Sequence, residues 1–306
     1  MDTYPKPNFE QAFSDALSEN RDRTPRDVLW ASDLSAHTDG GCERQLFHKL
    51  AGDERTDNTV SELMMFRFGN RIHDDIADML SDHLGDGWQV TGVESYGNDV
   101  YGLVSRSDMI LLSPDDDRVV IEVKTSRGRA FSYRNGPEDL RDSHVIQLQA
   151  GITAQDADYG ILLYIDREGS NSPDSYPIER DDETVMETVE NLSELIEPAE
   201  RYAIAKRAVE AGFLTEDEIP DPPAPLEPEI TRNENKGPDS IEIDEPWNCG
   251  YCSFRNVVCP GAVPDDVISE KHRGTVLLKD HGEGGYTIYN DKMDDDNLPD
   301  LVDLIQ

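Results

Sequence analysis

Asp108, Glu122 and Lys124 are residues whose types and spacing could do chemistry together. Glu122 and Lys124 interrupt the apolar run Val119-Val120-Ile121-Glu122-Val123-Lys124, and Asp108 lies in Ser105-Arg106-Ser107-Asp108-Met109-Ile110-Leu111-Leu112. Both stretches read as short strands. The turn-rich acidic loop between them, residues 113–118, makes an antiparallel hairpin the simplest connection. Alternate residues of a strand share a face, so Glu122 and Lys124 project together. An acid and a lysine in an apolar strand are costly unless something compensates them, and Asp108 on the partner strand can supply a second carboxylate. Two converging carboxylates hold a hard divalent cation through oxygen, and magnesium suits that ligand set. The lysine would then assist an attacking water or neutralise charge on a phosphate. An ion pair on a solvated sheet face is the plainer alternative, since an Asp with an E-x-K recurs by chance.

The elements that must position these residues follow from periodicity. The first hundred residues read as mainly helical: a short amphipathic segment over Glu10–Leu17, a start at Thr24-Pro25-Arg26, and further starts at Ser32-Asp33-Leu34 and Gly41–Leu50. Ser61–Leu84 is the clearest helix, with Leu63, Met64, Phe68, Ile72, Ile76, Met79 and Leu80 at helical spacing. Strands follow over Trp88–Glu94, Tyr101–Leu112 and Val119–Lys124, then a helix over His144–Ala154 and a buried strand over Tyr159–Ile165. A long helix covers Glu183–Gly212, with a break expected near Pro198. Five prolines among acids mark 213–246 as an extended connector. The tail offers one hairpin, Thr275–Leu278 with Tyr286–Tyr289. The domain organisation expected is a helical region over 1–86, a core over 87–212, the connector, a cysteine region over 247–262 and an acidic tail over 263–306.

Composition sets the conditions. The 306 residues suffice for one large or two modest domains. The net charge is −37, and the 28 basic residues comprise 20 Arg and only 8 Lys. Such an acidic, lysine-poor chain is similar to proteins of salt-loving archaea and their viruses. Self-repulsion of this size opposes a compact fold at low salt, and molar salt shortens the Debye length to about 3 Å. Three Trp, eleven Tyr and the periodic apolar segments argue against acidic disorder. No stretch approaches the roughly 20 apolar residues of a membrane span. The start Met1-Asp2-Thr3-Tyr4 lacks a signal peptide's basic and apolar regions. A cytoplasmic location, without membrane association, is the expectation.

In that compartment the four cysteines are metal ligands rather than disulfides. Cys249-x2-Cys252-x6-Cys259 forms a local trio, and Cys42 lies 217 positions before its last member. Sharing one centre would staple the N-terminal region to the C-terminal one. Zinc usually takes its ligands as two local pairs, so three clustered and one remote favour an iron–sulfur cluster, with structural zinc the rival.

Taken in order, these residues form a pattern. Ser32-Asp33-Leu34 leads to Cys42-x-Arg44; then come Gly69-x-x-x-His73, Asp108, Glu122-x-Lys124, Gln147 and the cysteine trio. Across roughly residues 30–260 the chain resembles the RecB-like exonucleases of the PD-(D/E)xK superfamily. Within them it resembles the CRISPR-associated iron–sulfur exonucleases, the type-four Cas proteins, and their relatives in archaeal viruses. The resemblance implies an α/β, restriction-endonuclease-like fold: a mixed sheet flanked by helices, its helical N-terminal part tied to the C-terminal part by a 4Fe–4S cluster on Cys42, Cys249, Cys252 and Cys259. It implies that His73, Asp108, Glu122 and the carbonyl of Val123 ligate Mg2+ or Mn2+, that Lys124 assists the attacking water and that Gln147 orients the site. An imidazole tilts such a site toward manganese. The family's glutamine motif has Tyr four residues on; here that position is Gly151, and Gln149 is the alternative glutamine, with Thr153 at the same offset.

A nuclease must hold phosphates on an anionic protein. Residues 123–137 contain no acid but carry Lys124, Arg127, Arg129 and Arg134 with Phe131 and Tyr133 interleaved, the combination that binds single strands by charge and stacking. Arg67, Arg71 and Arg106 could add to this island. The function expected is a metal-dependent deoxyribonuclease acting on DNA ends or single strands, in CRISPR adaptation or in repair and recombination, with proteins of those systems as partners. The rival is a non-catalytic DNA-end-binding subunit of such a complex.

Overall fold

The computed structural model describes residues 28–38, 41–56, 59–85, 87–97, 102–126, 131, 139–169, 171–226, 229–232, 240–244, 249, 252–254, 257–259, 275–280 and 286–288. The segments Glu10–Leu17 and Thr24–Arg26, for which helices are expected, lie outside them. The chain divides into two compact units, one of residues 1–39 and 58–198, the other of 40–57 and 199–306.

The first unit is built on a five-stranded sheet in which Gln89–Tyr96, Arg106–Leu112, Arg118–Ser126, Tyr159–Asp166 and Asp174–Glu179 lie side by side in that order. The short β1 (Leu29–Trp30) runs into a 3-10 helix over Ala31–His37 where the sequence predicts a helix start. Its N-terminus is closed by Trp30 N–H donating to Asp33 Oδ2 at 2.9 Å. Helix α2 covers Val60–His83. β2 (Gln89–Tyr96), β3 (Leu103–Val104), β4 (Arg106–Leu112) and β5 (Arg118–Ser126) follow. β3 pairs with β1 in parallel. β2 pairs antiparallel with β4, and β4 with β5, so the expected hairpin forms. Helix α3 (Asp142–Gln155) crosses from β5 to β6 (Tyr159–Asp166), which runs parallel to β5; β7 (Asp174–Glu179) closes the edge antiparallel. A parallel pair requires such a crossover. The mixed sheet flanked by helices that the sequence predicts is what forms.

The two faces of β5 explain its sequence. Val119, Ile121 and Val123 pack with Met109, Leu111, Ile76 and Ala77, which seats α2. Val120 packs with Leu148 and Ile152 of α3. A strand covered on both faces reads as continuous hydrophobics, and each such side chain stabilises the fold by about 1.5–3 kcal/mol. Glycine lets α3 lie close to the sheet: a Cβ at Gly160 would come within 2.7 Å of Leu148 Cδ1, and one at Gly151 within 3.3 Å of Ser107 Oγ and Val120 Cγ1. A side chain at Gly151 would therefore press on Ser107 and Val120.

Helices α4 (Asp182–Ser193) and α5 (Ile196–Glu210) cover the long helical stretch expected, and the break expected near Pro198 falls at 194–195. The Pro then falls in the first turn of α5, where its missing N–H costs nothing.

The second unit holds α1 (Glu43–Ala51), residues 199–210 of α5 and a four-stranded sheet in which Tyr286–Ile288, Thr275–Asp280, Ser240–Asp244 and Glu229–Arg232 lie side by side in that order. β10 (Thr275–Asp280) and β11 (Tyr286–Ile288) are the expected tail hairpin. β8 (Glu229–Arg232) and β9 (Ser240–Asp244) correct the reading of 213–246 as plain connector, because they pair with each other and β9 pairs with β10. Residues 40–57 cluster with the C-terminal residues. Among the described residues, no helix is long and apolar enough to cross a membrane.

Candidate metal and phosphate site

The site forms where β4 and β5 part. Their ladder ends at the pair Met109–Ile121, one residue short of Asp108 and Glu122. Side-chain alternation in β4 also breaks there. Ser107 faces Gly151 on α3, while Met109 and Leu111 pack toward α2. Asp108 falls at the break and reaches α2: its Oδ1 lies 3.3 Å from His73 Nδ1. Its Oδ2 accepts the Val123 N–H at 2.7 Å, a side chain taking the place of a ladder bond.

Glu94 joins this pair, with Oε1 3.9 Å from His73 Nδ1. One ligand atom from each of His73, Glu94 and Asp108 falls within 4.8 Å of the others, the separation of groups that share a metal ion. Motif reading missed Glu94 because it belongs to a polar stretch with no spacing signature. Its backbone carries the structural signal: φ is +48°, just past a register shift between Val90 and Gly92. A non-glycine residue there is strained, and such strain concentrates at functional sites. Arg106 Nε holds the other Glu94 oxygen at 2.9 Å, so this arginine is engaged with an acid rather than offered to phosphate.

Glu122, Lys124 and Gln147 make a second group. Lys124 Nζ donates to Glu122 Oε1 and to Gln147 Oε1, each at 2.7 Å. Gln149 is excluded as the alternative: its Nε2 donates to the Glu179 carbonyl and its Oε1 accepts the Asp181 N–H, so it ties α3 to the turn after β7. Glu122 is only 5% exposed. Burial, and then the nearby Asp108 carboxylate, push its carboxyl up to about 7, against the opposing pull of Lys124. The Asp108 carboxylate likewise raises the His73 imidazole above its ordinary value, against the effect of burial. A buried carboxyl that resists ionising beside another carboxylate, next to an imidazole that favours its cationic form, marks a place short of positive charge. A divalent cation supplies that charge. The donor set of carboxylate oxygens and one imidazole fits manganese, or magnesium with water completing its shell.

The expected DNA-binding island is altered. Phe131 is 4% exposed and packs with Leu148, Ile152 and Tyr164, so it offers no face to a base. Its apolar ring is worth more in the core than in a basic loop. Arg127, Arg129, Tyr133 and Arg134 lie outside the described residues.

The cysteines all fall in the second unit and form no disulfide. Cys42 caps α1, its Sγ accepting the Gln45 N–H at 3.4 Å; burial, and further down the scale the charge of Cys259, raise its thiol pKa. Ser253 accepts from the Thr56 N–H at 2.7 Å, and Phe254 lies over His48, which fixes the cysteine loop against the segment after Cys42. Cys252 N–H donates to the Cys249 carbonyl at 3.2 Å, and Cys259 N–H to that of Phe254 at 3.1 Å. The group with metal-ligand spacing found among the described residues, His73 with Glu94 and Asp108, includes no cysteine.

No protein-family model and no curated protein matches this chain. Among solved structures it is similar to SSO0001, at 20% identity and a TM-score of 0.39 over 67% of this chain and 92% of that one. It is also similar to an alkaline exonuclease (LHK-Exo) from Laribacter hongkongensis, at 15% identity and a TM-score of 0.45 over 61% of this chain and 95% of that one. A phage-related exonuclease from Haemophilus somnus 129PT aligns at 11% identity and a TM-score of 0.43, over 59% and 96% of the two chains.

Proposed function

We propose that the first unit is a divalent-metal-dependent deoxyribonuclease core, acting at DNA ends or on single strands. The observation that carries this reading is Asp108 bound at once to the β5 backbone and to His73, with Glu122 coupled to it electrostatically and paired to Lys124. His73, Glu94, Asp108 and Glu122 would hold the cation, with the Val123 carbonyl completing the set. Bound there, a divalent cation supplies Lewis acidity toward a phosphoryl oxygen and lowers the pKa of water. Lys124 places a cation beside Glu122, where it can neutralise charge on a phosphate under attack. Gln147 fixes the lysine's direction, and the Val123 N–H fixes that of Asp108.

Cys42, Cys249, Cys252 and Cys259 would hold an iron–sulfur cluster that closes the second unit around α1. The cluster would be structural, since metal binding and folding are coupled in such sites. Iron and acid-labile sulfide in anaerobically purified protein, lost in Cys42→Ser, support the cluster; zinc in their place contradicts it.

Incubation with labelled single-stranded DNA and Mn2+ tests the nuclease reading. Degradation that fails with chelator, with Glu122→Ala and with Lys124→Ala supports it. Binding without degradation by the native chain contradicts it and favours the non-catalytic subunit.

A further inference from the structure

Helix α2 carries His73 toward the sheet, yet its first half is open to solvent along the side that leads there. Residues three, four and seven apart share a helix face. Phe66, Gly69 and Asn70, His73 and Ala77 therefore lie on one stripe. The stripe changes character along its length. Ala77 is buried against the sheet and His73 is half-buried, while Phe66 is 57% exposed. Above Gly69, a Cβ would meet no atom within 4 Å. Phe68 and Met65 beside the stripe are exposed too. Neighbouring exposed apolar side chains mark a contact surface where a single one would not, and Met65, Phe66 and Phe68 are such a group.

The chemistry next to the ring says what the contact is. Arg67 is exposed on the same two turns, in a chain of net charge −37; Arg71, also exposed, lies 3.2 Å from Asp75 Oδ1 and is engaged with that acid. An aromatic face with the Arg67 guanidinium beside it is an arrangement that can stack a base and hold the adjoining phosphate. Seven residues of helix span about 10 Å, and a stacked strand advances about 3.4 Å per nucleotide. Phe66 thus stands roughly three nucleotides from a phosphate held at His73.

We propose that Phe66 is a base-stacking platform for single-stranded DNA, feeding the strand over Gly69 to the His73–Asp108 site. This inference rests on the nuclease reading of that site and names its substrate form. It places the stacking ring on α2, where the buried Phe131 of β5's following segment cannot serve.

The test is the affinity of the full chain for a fluorescent thymidine oligonucleotide, measured with Ca2+ in place of the catalytic cation, for the native protein, Phe66→Ala and Phe66→Trp. The expected result is a loss on the order of 5- to 150-fold for Phe66→Ala, the range of one base–aromatic stack, with affinity kept by Phe66→Trp. An oligonucleotide with an abasic residue at the stacking position should bind the native protein and Phe66→Ala alike. Equal affinity of the native protein and Phe66→Ala for the intact oligonucleotide overturns the inference, as does a substitution that changes only self-association in sedimentation. If that equality is found while the native chain still degrades DNA, the nuclease reading stands and the platform alone falls. A native chain that neither binds nor degrades single strands refutes both.

Discussion

Asp108 links two elements through one carboxylate: Oδ2 takes the Val123 N–H at 2.7 Å and Oδ1 faces His73 Nδ1 at 3.3 Å. The residue is thus both a strut of the sheet and a member of the charged site. Substitution separates these roles. Asp108→Asn keeps an oxygen for Val123 and should alter unfolding stability by less than about 1 kcal/mol, whereas Asp108→Ala strands a buried N–H and should cost about 1–3 kcal/mol. Both should abolish DNA degradation. Urea denaturation and a nuclease assay on each variant check the separation.

Glu122 gives a pH signature. Its carboxyl is raised from 4.5 to about 7 in the folded chain, so between those values the folded state holds a proton that the unfolded state has released. Stability of the metal-free protein should therefore fall as pH rises through that window. His73, raised above 6.5, adds a loss in the same direction at and above that value. Glu122→Gln should flatten the slope between 4.5 and about 7, and added Mn2+ should reverse it. Thermal melts from pH 4 to 8 in chelator, native against variant, measure this directly.

Lys124 and Gln147 should differ in severity. Lys124→Ala removes the cation paired to a buried carboxylate and should raise the Glu122 pKa further, with a loss of cleavage rate on the order of 100-fold or more. Gln147→Ala removes only an orienting bond and should cost about tenfold, with the bell of the pH–rate profile little moved. Rates across pH for both variants decide it.

Glu94 should behave as a ligand rather than a surface acid. Glu94→Gln should weaken Mn2+ binding roughly tenfold, the scale of losing one supporting metal contact, while Arg106→Ala, which frees Glu94 from its ion pair, should not weaken it. Calorimetric titration with Mn2+ gives both numbers.

Much of this site was legible in the sequence because its parts sit in strong periodic elements. The Val-rich strand, the hairpin and the helix bearing His73 all announce themselves through apolar spacing. Glu94 did not, since its position depends on a register shift and a left-handed backbone that no local pattern encodes. Phe131 turns into the core, and a run of residues along the chain does not encode which side chain turns inward. β9 was visible as alternation in Ser240-Ile241-Glu242-Ile243-Asp244, but the prolines before it dominated the reading. β7 carries Pro177 in an edge strand, where a missing donor is tolerated and a sequence pattern is weakest.

The most direct measurement is Mn2+-dependent release of nucleotides from end-labelled single-stranded DNA by the purified chain and by Glu122→Gln, at equal folded concentration. Release by the native chain, absent in the variant and in chelator, is the outcome expected. Equal release by both would show that the Asp108–Glu122 pair does not hold the cation that cuts DNA.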